Sequence, residues 1–113
     1  MNAWLLVGCG GALGAISRHA LSLQPLGVSK TLLVNVLGSF LLGLILVLVH
    51  DRRLMLLLTI GFCGAFTTFS AFSYDLLVLI QRGAWGQAFI HSLLNVVVSV
   101  FALWLGITLA RLF

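Results

Sequence analysis

Residues 64–72 read G-A-F-T-T-F-S-A-F, so three phenylalanines alternate with hydroxyl residues inside a long apolar run. That run covers residues 54–81, about 28 residues, which would give roughly 42 Å of helix. The hydrocarbon core of a bilayer is only about 30 Å thick. Gly64 and the Thr67-Thr68 pair therefore predict a break near the middle of the run. Such a break is tolerated at membrane depth only where the freed backbone is buried in protein or lines a wet cavity.

The composition of the whole chain indicates whether its surface faces water or lipid. Of the 113 residues, 62% are hydrophobic and only 7% are charged, whereas a soluble surface needs roughly 25–35% charged residues. A single proline and few polar runs also argue against a disordered chain. The net charge of +4 lies at the ends of apolar segments, so it indicates membrane-flanking anchors and no nucleic-acid partner. The composition predicts an integral membrane protein surrounded by lipid.

Charged residues divide the chain into four apolar segments, and a membrane helix needs about 20 apolar residues. We therefore predict an all-α integral membrane protein with four transmembrane helices, the third of which is broken mid-membrane. The predicted helices of this single domain, residues 1–113, cover approximately 3–22, 30–50, 54–81 and 87–111. The first segment lacks a basic start and contains many glycines, which favours a mature helix over a signal peptide.

Lysine and arginine are balanced between the two sides of such a bundle. The basic residues expected on one side are Arg18, Lys30 and Arg82, and those on the other are Arg52, Arg53 and Arg111. Membrane proteins are oriented by an excess of Lys and Arg in the cytoplasmic loops. Because that excess is close to zero here, either orientation should insert. The sequence therefore favours an antiparallel, dual-topology homodimer.

Neutral polar side chains form stripes along three of the predicted helices. The stripes are Asn35 and Ser39 on the second helix, continued at the same spacing by Gly43, then Thr67, Ser70 and Tyr74 on the third, and His91, Asn95 and Ser99 on the fourth. Spacings of three or four residues keep each set on one side of its helix. Hydrogen bonding between packed helices explains one such stripe. Three stripes favour a polar path through the membrane.

The residues of this path suit a small anion. Asparagine amides and hydroxyl groups are hydrogen-bond donors, and the positive edge of a phenyl ring attracts anions weakly. Phe69 and Phe72 are three residues apart, so they lie on one side of a helix. A halide fits a path of neutral donors, and fluoride gains most because it is the strongest hydrogen-bond acceptor among the halides.

Two other functions stay open on the residues alone. A small multidrug-resistance-type transporter also has four helices, but proton-coupled export needs a membrane-embedded carboxylate, and Asp75 lies near a helix end. A non-transporting membrane assembly protein would use the polar stripes only for packing. Gly10 and Gly14 form a G-x-x-x-G pair that favours close helix approach. Arg18 follows them as either an interface anchor or a charge that attracts anions.

Three motifs resemble those of the CrcB/Fluc family of fluoride channels. They are G-G-A-L-G-A-I-S-R at 10–18, T-L-L-V-N-V-L-G-S-F-L-L-G at 31–43 and G-F-C-G-A-F-T-T-F-S-A-F at 61–72. The likeness covers nearly the whole chain, in order. It implies a dual-topology homodimer in the inner (plasma) membrane, with two antiparallel pores that export fluoride passively. It also implies a structural Na⁺ at the dimer centre.

The resemblance assigns residues to three kinds of site. The fluoride pore would be lined by an aromatic box and a polar track, residues Asn35, Phe69, Ser70, Phe72, Asn95 and Ser99. The backbone carbonyls of Gly64 and Thr67 would hold Na⁺, and Arg18 would stand in the vestibule. The aromatic box matches the family, whereas the chain departs from the residues usual there at Ala65, Ala71, Asp75, His91, Asn95 and Leu103.

Overall fold

The computed structural model describes residues 1–27 and 29–113, and every regular element in these two ranges is helical. The helices are α1 (Ala3–Ser22), α2 (Ser29–Leu48), α3 (Arg52–Leu56), α4 (Gly64–Phe66), α5 (Phe69–Gln81) and α6 (Trp85–Ala110). A π-helical segment, Leu57–Cys63, joins α3 to α4 without a gap. The predicted all-α class is confirmed for the described ranges.

Short polar side chains cap the N-termini of three helices, namely Asn2 for α1, Asp51 for α3 and Thr68 for α5. The side chain of Asn2 accepts a hydrogen bond from the Leu5 amide at 2.9 Å, at the start of α1. The hydroxyl of Thr68 accepts from the Ala71 amide at 3.1 Å, at the start of α5. The first amides of a helix have no partner inside it, and Asn or Thr at the cap supplies one. The start of α5 therefore follows from the identity of residue 68.

The helical stretch that begins at Arg52 is interrupted at Thr67 and Thr68. Helix α4 ends at Phe66, after which Thr67 (ψ 155°) and Thr68 (φ -149°, ψ 122°) have extended backbone. Gly64 itself has ordinary helical angles (φ -62°, ψ -36°). The extended conformation is held by Thr68, whose hydroxyl caps α5 and whose amide bonds to a side chain of α2. The interruption thus depends on the threonines more than on the glycine.

Glycines allow two pairs of segments to approach closely. A Cβ atom at Gly10 or Gly14 of α1 would collide with backbone atoms of the π-helical segment. Gly43 of α2 and Gly106 of α6 have the same relation to each other's helix, since a Cβ at either would collide with the opposite backbone. Small residues at such crossings are typical of membrane helices, whose association depends on close van der Waals packing. These contacts set how α2 and α6 face each other.

Three stretches of the described residues are long and apolar enough to cross a membrane: Ser29–Leu48, Arg52–Gln81 and Trp85–Ala110. Helix α1 has sufficient length but is less apolar, because it carries four glycines together with Arg18 and His19. The fold is therefore that of a multi-pass helical membrane protein. A fourth crossing by α1 stays a prediction.

Candidate functional site

A cavity of about 360 Å³ lies where α2 and α6 meet the interrupted third stretch, and we call it the central cavity. Its lining consists of amides, hydroxyls, glycines and apolar side chains: Asn35, Gly38, Ser39, Leu42, Thr59, Cys63, Gly64, Thr67, Thr68, Phe69, Phe72, Asn95, Val96 and Ser99. Among the described residues, no lysine, arginine, aspartate or glutamate contributes to this lining. The cavity therefore offers neutral polar groups and ring surfaces to whatever occupies it.

Asn35 links the helix interruption to α6 through three hydrogen bonds. Its Oδ1 accepts from the Thr68 amide at 2.8 Å, and its Nδ2 donates to the Thr68 carbonyl at 3.2 Å. The same Nδ2 donates to Oδ1 of Asn95 at 2.9 Å. The side chain of Asn35 thus supplies Thr68 with the partners that a continuous helix would have given it. It also brings two of the sequence-predicted pore residues into direct contact.

Asn95 is buried, with 6% of its surface exposed, and is held by its own helix. Its Nδ2 donates to the carbonyl of His91 at 3.0 Å and lies 3.4 Å from Nδ1 of the His91 ring. Ser99, one turn further along α6, also lines the central cavity. Its buried hydroxyl has no hydrogen-bond partner within the described ranges. Because an unpaired buried hydroxyl is unfavourable, the Ser99 donor is available to a ligand.

Phe69 and Phe72 form an edge-to-face pair at the start of α5. Their ring centroids are 5.5 Å apart and their planes are inclined by 62°. Phe72 is buried and packs against the ring of His91 at a centroid distance of 5.3 Å. Phe69 lines the same cavity but is 77% exposed in the single chain. Inclined rings direct the positive edge of one towards the negative face of the other.

Ser70 lies beside the central cavity and is absent from its described lining. Its side chain is exposed, and its Oγ is 3.2 Å from Oγ1 of Thr68. Thr68 does line the cavity, so the hydroxyl of Ser70 is connected to the site through that neighbour. The other residues predicted for the pore surround one space: Asn35, Phe69, Phe72, Asn95 and Ser99.

A Na⁺ site at the interruption requires carbonyl oxygens that are not already used as hydrogen-bond acceptors. The Thr68 amide donates to Asn35, so the Gly64 carbonyl lacks the donor that a continuous helix would supply. The Cys63 carbonyl is occupied, since it accepts from the amide and the hydroxyl of Thr67 at 3.0 and 2.9 Å. Gly64 is exposed in the single chain. Carbonyl oxygens suit a hard cation, so the donor set at 64–67 fits carbonyl coordination.

A second cavity, of about 530 Å³, lies along α5, and we call it the basic cavity. The charged residues of its lining are Arg18, Lys30, Asp75 and Arg82. Arg18, the predicted vestibule residue, donates from Nε to the carbonyl of Ala65 at 3.1 Å and is thereby anchored near the interruption. Three cations against one carboxylate give a potential that attracts anions. Thr68 lines both cavities, so it stands between them.

Asp75 makes polar contacts that its position in the sequence did not indicate. Its Oδ2 accepts from the Thr31 hydroxyl at 2.6 Å and lies 3.8 Å from Nε2 of His91. The Asp75 side chain is only 20% exposed, so the protein covers most of it although it lies near a helix end. Its i+3 spacing from Phe72 puts it on the inward side of α5. That spacing could have identified it.

Comparison with known proteins extends this picture to relatives. Residues 5–107 match the family described as "CrcB-like protein, Camphor Resistance (CrcB)". The fluoride-specific ion channel FluC of Phenylobacterium zucineum (strain HLK1) is 44% identical, over 98% of this chain and 97% of the relative. FluC of Shewanella sediminis (strain HAW-EB3) is 44% identical over 94% of each chain. FluC of Saccharophagus degradans is 41% identical over 96% of this chain and 89% of the relative. Because these matches span almost the full length, the chain belongs to the CrcB family.

Proposed function

We propose that this chain is a passive channel for fluoride. The observation that carries the proposal is the central cavity, where two asparagine amides, several hydroxyls and two phenyl rings converge at an interrupted helix. The full-length relatives from Phenylobacterium and Shewanella carry the name fluoride-specific ion channel. Their resemblance extends over both the cavity residues and the helices that hold them.

The chemistry of the cavity favours a small anion. Amide and hydroxyl hydrogens can replace the water around an anion, and a ring edge adds weak positive potential without holding the ion permanently. Conduction requires sites that bind the ion weakly enough to release it, and neutral donors hold an anion less strongly than a fixed positive charge would. The lining from the described residues meets this condition.

The path of the ion runs, in this proposal, from the basic cavity past Thr68 into the central cavity. Arg18 would concentrate anions at the entrance through its charge. Asn35 and the Phe69–Phe72 pair would then solvate the ion in place of water. Ser70 would assist through its contact with Thr68. The unpaired hydroxyl of Ser99 would act as the next donor along α6.

The functional unit in this proposal is an antiparallel homodimer in the inner membrane, with α1 as a fourth crossing. Two observations support a second copy: the near balance of basic residues, and the 77% exposure of Phe69, which lines the cavity yet lacks a wall on its outer side. At the dimer centre, the carbonyls of Gly64 and Thr67 from both chains would hold a structural Na⁺. Such an ion would stabilise the interface through coordination of backbone oxygens.

Fluoride efflux from liposomes that contain only this protein tests the proposed function. We expect rapid, passive efflux that needs no proton gradient, together with strong rejection of chloride. A multidrug-resistance-type transporter would need a proton gradient, and a membrane assembly protein would give no flux. Equal fluxes of fluoride and chloride, or flux only with a proton gradient, would contradict the proposal.

A further inference from the structure

The buried ring of His91 lies between Asn95, which lines the central cavity, and Asp75, which lines the basic cavity. Its side chain is 6% exposed, and its Nε2 has no hydrogen-bond partner within the described ranges. That nitrogen lies 3.8 Å from Oδ2 of Asp75, while Nδ1 lies 3.4 Å from Nδ2 of Asn95. A buried polar atom without a partner is unusual and calls for an explanation. Here it faces a carboxylate across a gap slightly too long for a hydrogen bond.

The neighbours of the His91 ring determine which of its nitrogens carries the proton. The Nδ2 group of an asparagine can only donate, so Nδ1 of His91 must accept from Asn95. In the neutral ring the proton is then on Nε2, directed towards Asp75. Oδ2 of Asp75 also accepts from the Thr31 hydroxyl, so this hydroxyl and the Nε2–H group of His91 both direct their hydrogens at the same carboxylate. The neutral tautomer is therefore fixed by the arrangement of donors and acceptors.

The neutral ring is the last acceptor in a continuous series of hydrogen bonds. The Thr68 amide donates to Asn35, Asn35 donates to Asn95, and Asn95 donates to His91. The two N–H groups of Asn35 are used by Asn95 and by the Thr68 carbonyl, and those of Asn95 by the ring and carbonyl of His91. While His91 is neutral, all N–H groups of the two asparagine side chains are thus bonded to protein atoms.

We infer that His91 is a proton-binding positioning residue that controls whether Asn95 can donate to an anion. A protonated ring carries a hydrogen on Nδ1, which cannot accept from Asn95. The N–H of Asn95 that donated to Nδ1 then loses its acceptor, while its other N–H keeps its bond to the His91 carbonyl at 3.0 Å. This N–H of Asn95, which lines the central cavity, and the new N–H on Nδ1 are then both free to donate to an anion. The added positive charge acts in the same direction, so protonation of His91 strengthens fluoride binding.

The charged groups around His91 are few enough to assign the effect. Within the described residues, Asp75 is the acidic group that faces the ring, from α5. The remaining charged and titratable side chains at this end belong to the basic cavity: Arg18, Lys30, Tyr74 and Arg82. Cys63 is the titratable group in the central cavity, from the π-helical segment. Histidine is the residue type that changes charge between about pH 5 and pH 8.

Electrical recording of fluoride current in planar bilayers tests this inference, which rests on the proposed channel function. Current is measured because hydrogen fluoride crosses lipid uncharged and does not contribute to it. Between about pH 8 and pH 6, the half-saturating fluoride concentration of the wild type should fall by about tenfold, the effect expected of one additional hydrogen bond to a charged group. His91→Gln should abolish this dependence on pH. His50→Gln, which changes an exposed histidine, should retain it.

A charge variant and a structural measurement complete the test. Asp75→Asn removes the negative charge that faces the ring, so the pH profile of the fluoride current should differ from that of the wild type. In nitrogen-15 spectra of the wild type, the ring signals of His91 should show the Nε2–H tautomer at pH 8. An unchanged pH profile in His91→Gln, or a proton on Nδ1 at pH 8, would overturn the inference alone. A wild type without fluoride current at any pH would instead overturn the proposed function.

Discussion

Phe69 and Phe72 share a cavity but occupy different environments. Phe72 is packed between Phe69 and His91 inside the chain, whereas Phe69 has most of its surface exposed. The ring of Phe72 therefore contributes to the stability of the fold as well as to the cavity. Phe69 contributes to the cavity, and to any surface that a second chain would cover. This difference separates the two roles experimentally.

Replacement of either ring by isoleucine should reduce fluoride flux by at least about tenfold, which corresponds to about 1.4 kcal/mol of lost ion stabilisation. Isoleucine keeps apolar volume but has no positive ring edge. Phe72→Ile should also lower the thermal stability in detergent, while Phe69→Ile should leave the stability of the single chain nearly unchanged. Liposome flux and thermal unfolding measure the two effects. Wild-type flux in both variants would show that the rings serve only for packing.

At the scale of elements, the interruption at Thr67 and Thr68 joins all parts of the site. It ends one helix, begins the next with a threonine cap, and leaves backbone groups of Thr68 that Asn35 satisfies. The preceding π-helical segment carries Thr59 and Cys63 into the cavity wall. Irregular helical turns of this kind occur frequently at functional sites. Close contact with α1 holds the segment in place.

The sequence was sufficient to predict these elements only in part. Apolar length and the Thr67-Thr68 pair indicate helices and an interruption, because both are local properties of the chain. The contact between Asn35 and Asn95 is not local, since it depends on how far α2 slides along α6. The glycine contacts at Gly43 and Gly106 set that position. The spacing of residues within one helix does not indicate how that helix is positioned along another.

Gly10→Ala should destabilise the protein by about 1–3 kcal/mol, the usual effect of overpacking a tight contact. The added methyl would meet backbone atoms of the π-helical segment, which cannot rotate away as a side chain could. Gly8→Ala is the matched control, because a Cβ there has nothing within 4 Å and alanine is the better helix former. Thermal unfolding in detergent compares the two. Equal stability of both variants would mean that α1 does not need this close approach.

At the scale of the whole molecule, parts of the site face outward from the single chain. The cavity wall at Phe69 is open, Gly64 is exposed, and large apolar side chains such as Trp4 and Trp104 face outward. Lipid accounts for apolar exposure in a membrane protein, but it cannot satisfy polar backbone groups. A second chain against the Gly64 face would do so. Balanced basic residues would let that chain insert in the opposite orientation.

Extra positive charge in one loop should therefore abolish function of the chain expressed alone. Two or three lysines inserted after His50 would bias that loop to the cytoplasm and leave Asp51 free to cap the Leu54 amide at 2.8 Å. The matched control inserts the same number of glutamines. Fluoride efflux should vanish with lysines, persist with glutamines, and return when the lysine variant is expressed with one biased in the opposite direction. Activity of the lysine variant alone would contradict dual topology.

Removal of Na⁺ should loosen the dimer without acting on fluoride directly. The Gly64 carbonyl has lost its helical donor to Asn35, and carbonyls at 64–67 from two chains would supply about four neutral oxygens. That set suits a monovalent cation, because a divalent ion would require carboxylates.

Cross-linking and fluoride efflux after prolonged exchange of Na⁺ for a larger organic cation measure the effect. The cross-linked fraction and the flux should fall together and recover when Na⁺ returns, whereas a variation of fluoride concentration should change neither the cross-linking nor the Na⁺ requirement. A dimer that stays intact and fully active with no replacement ion bound would show that the carbonyls at the interruption are satisfied by the second chain itself.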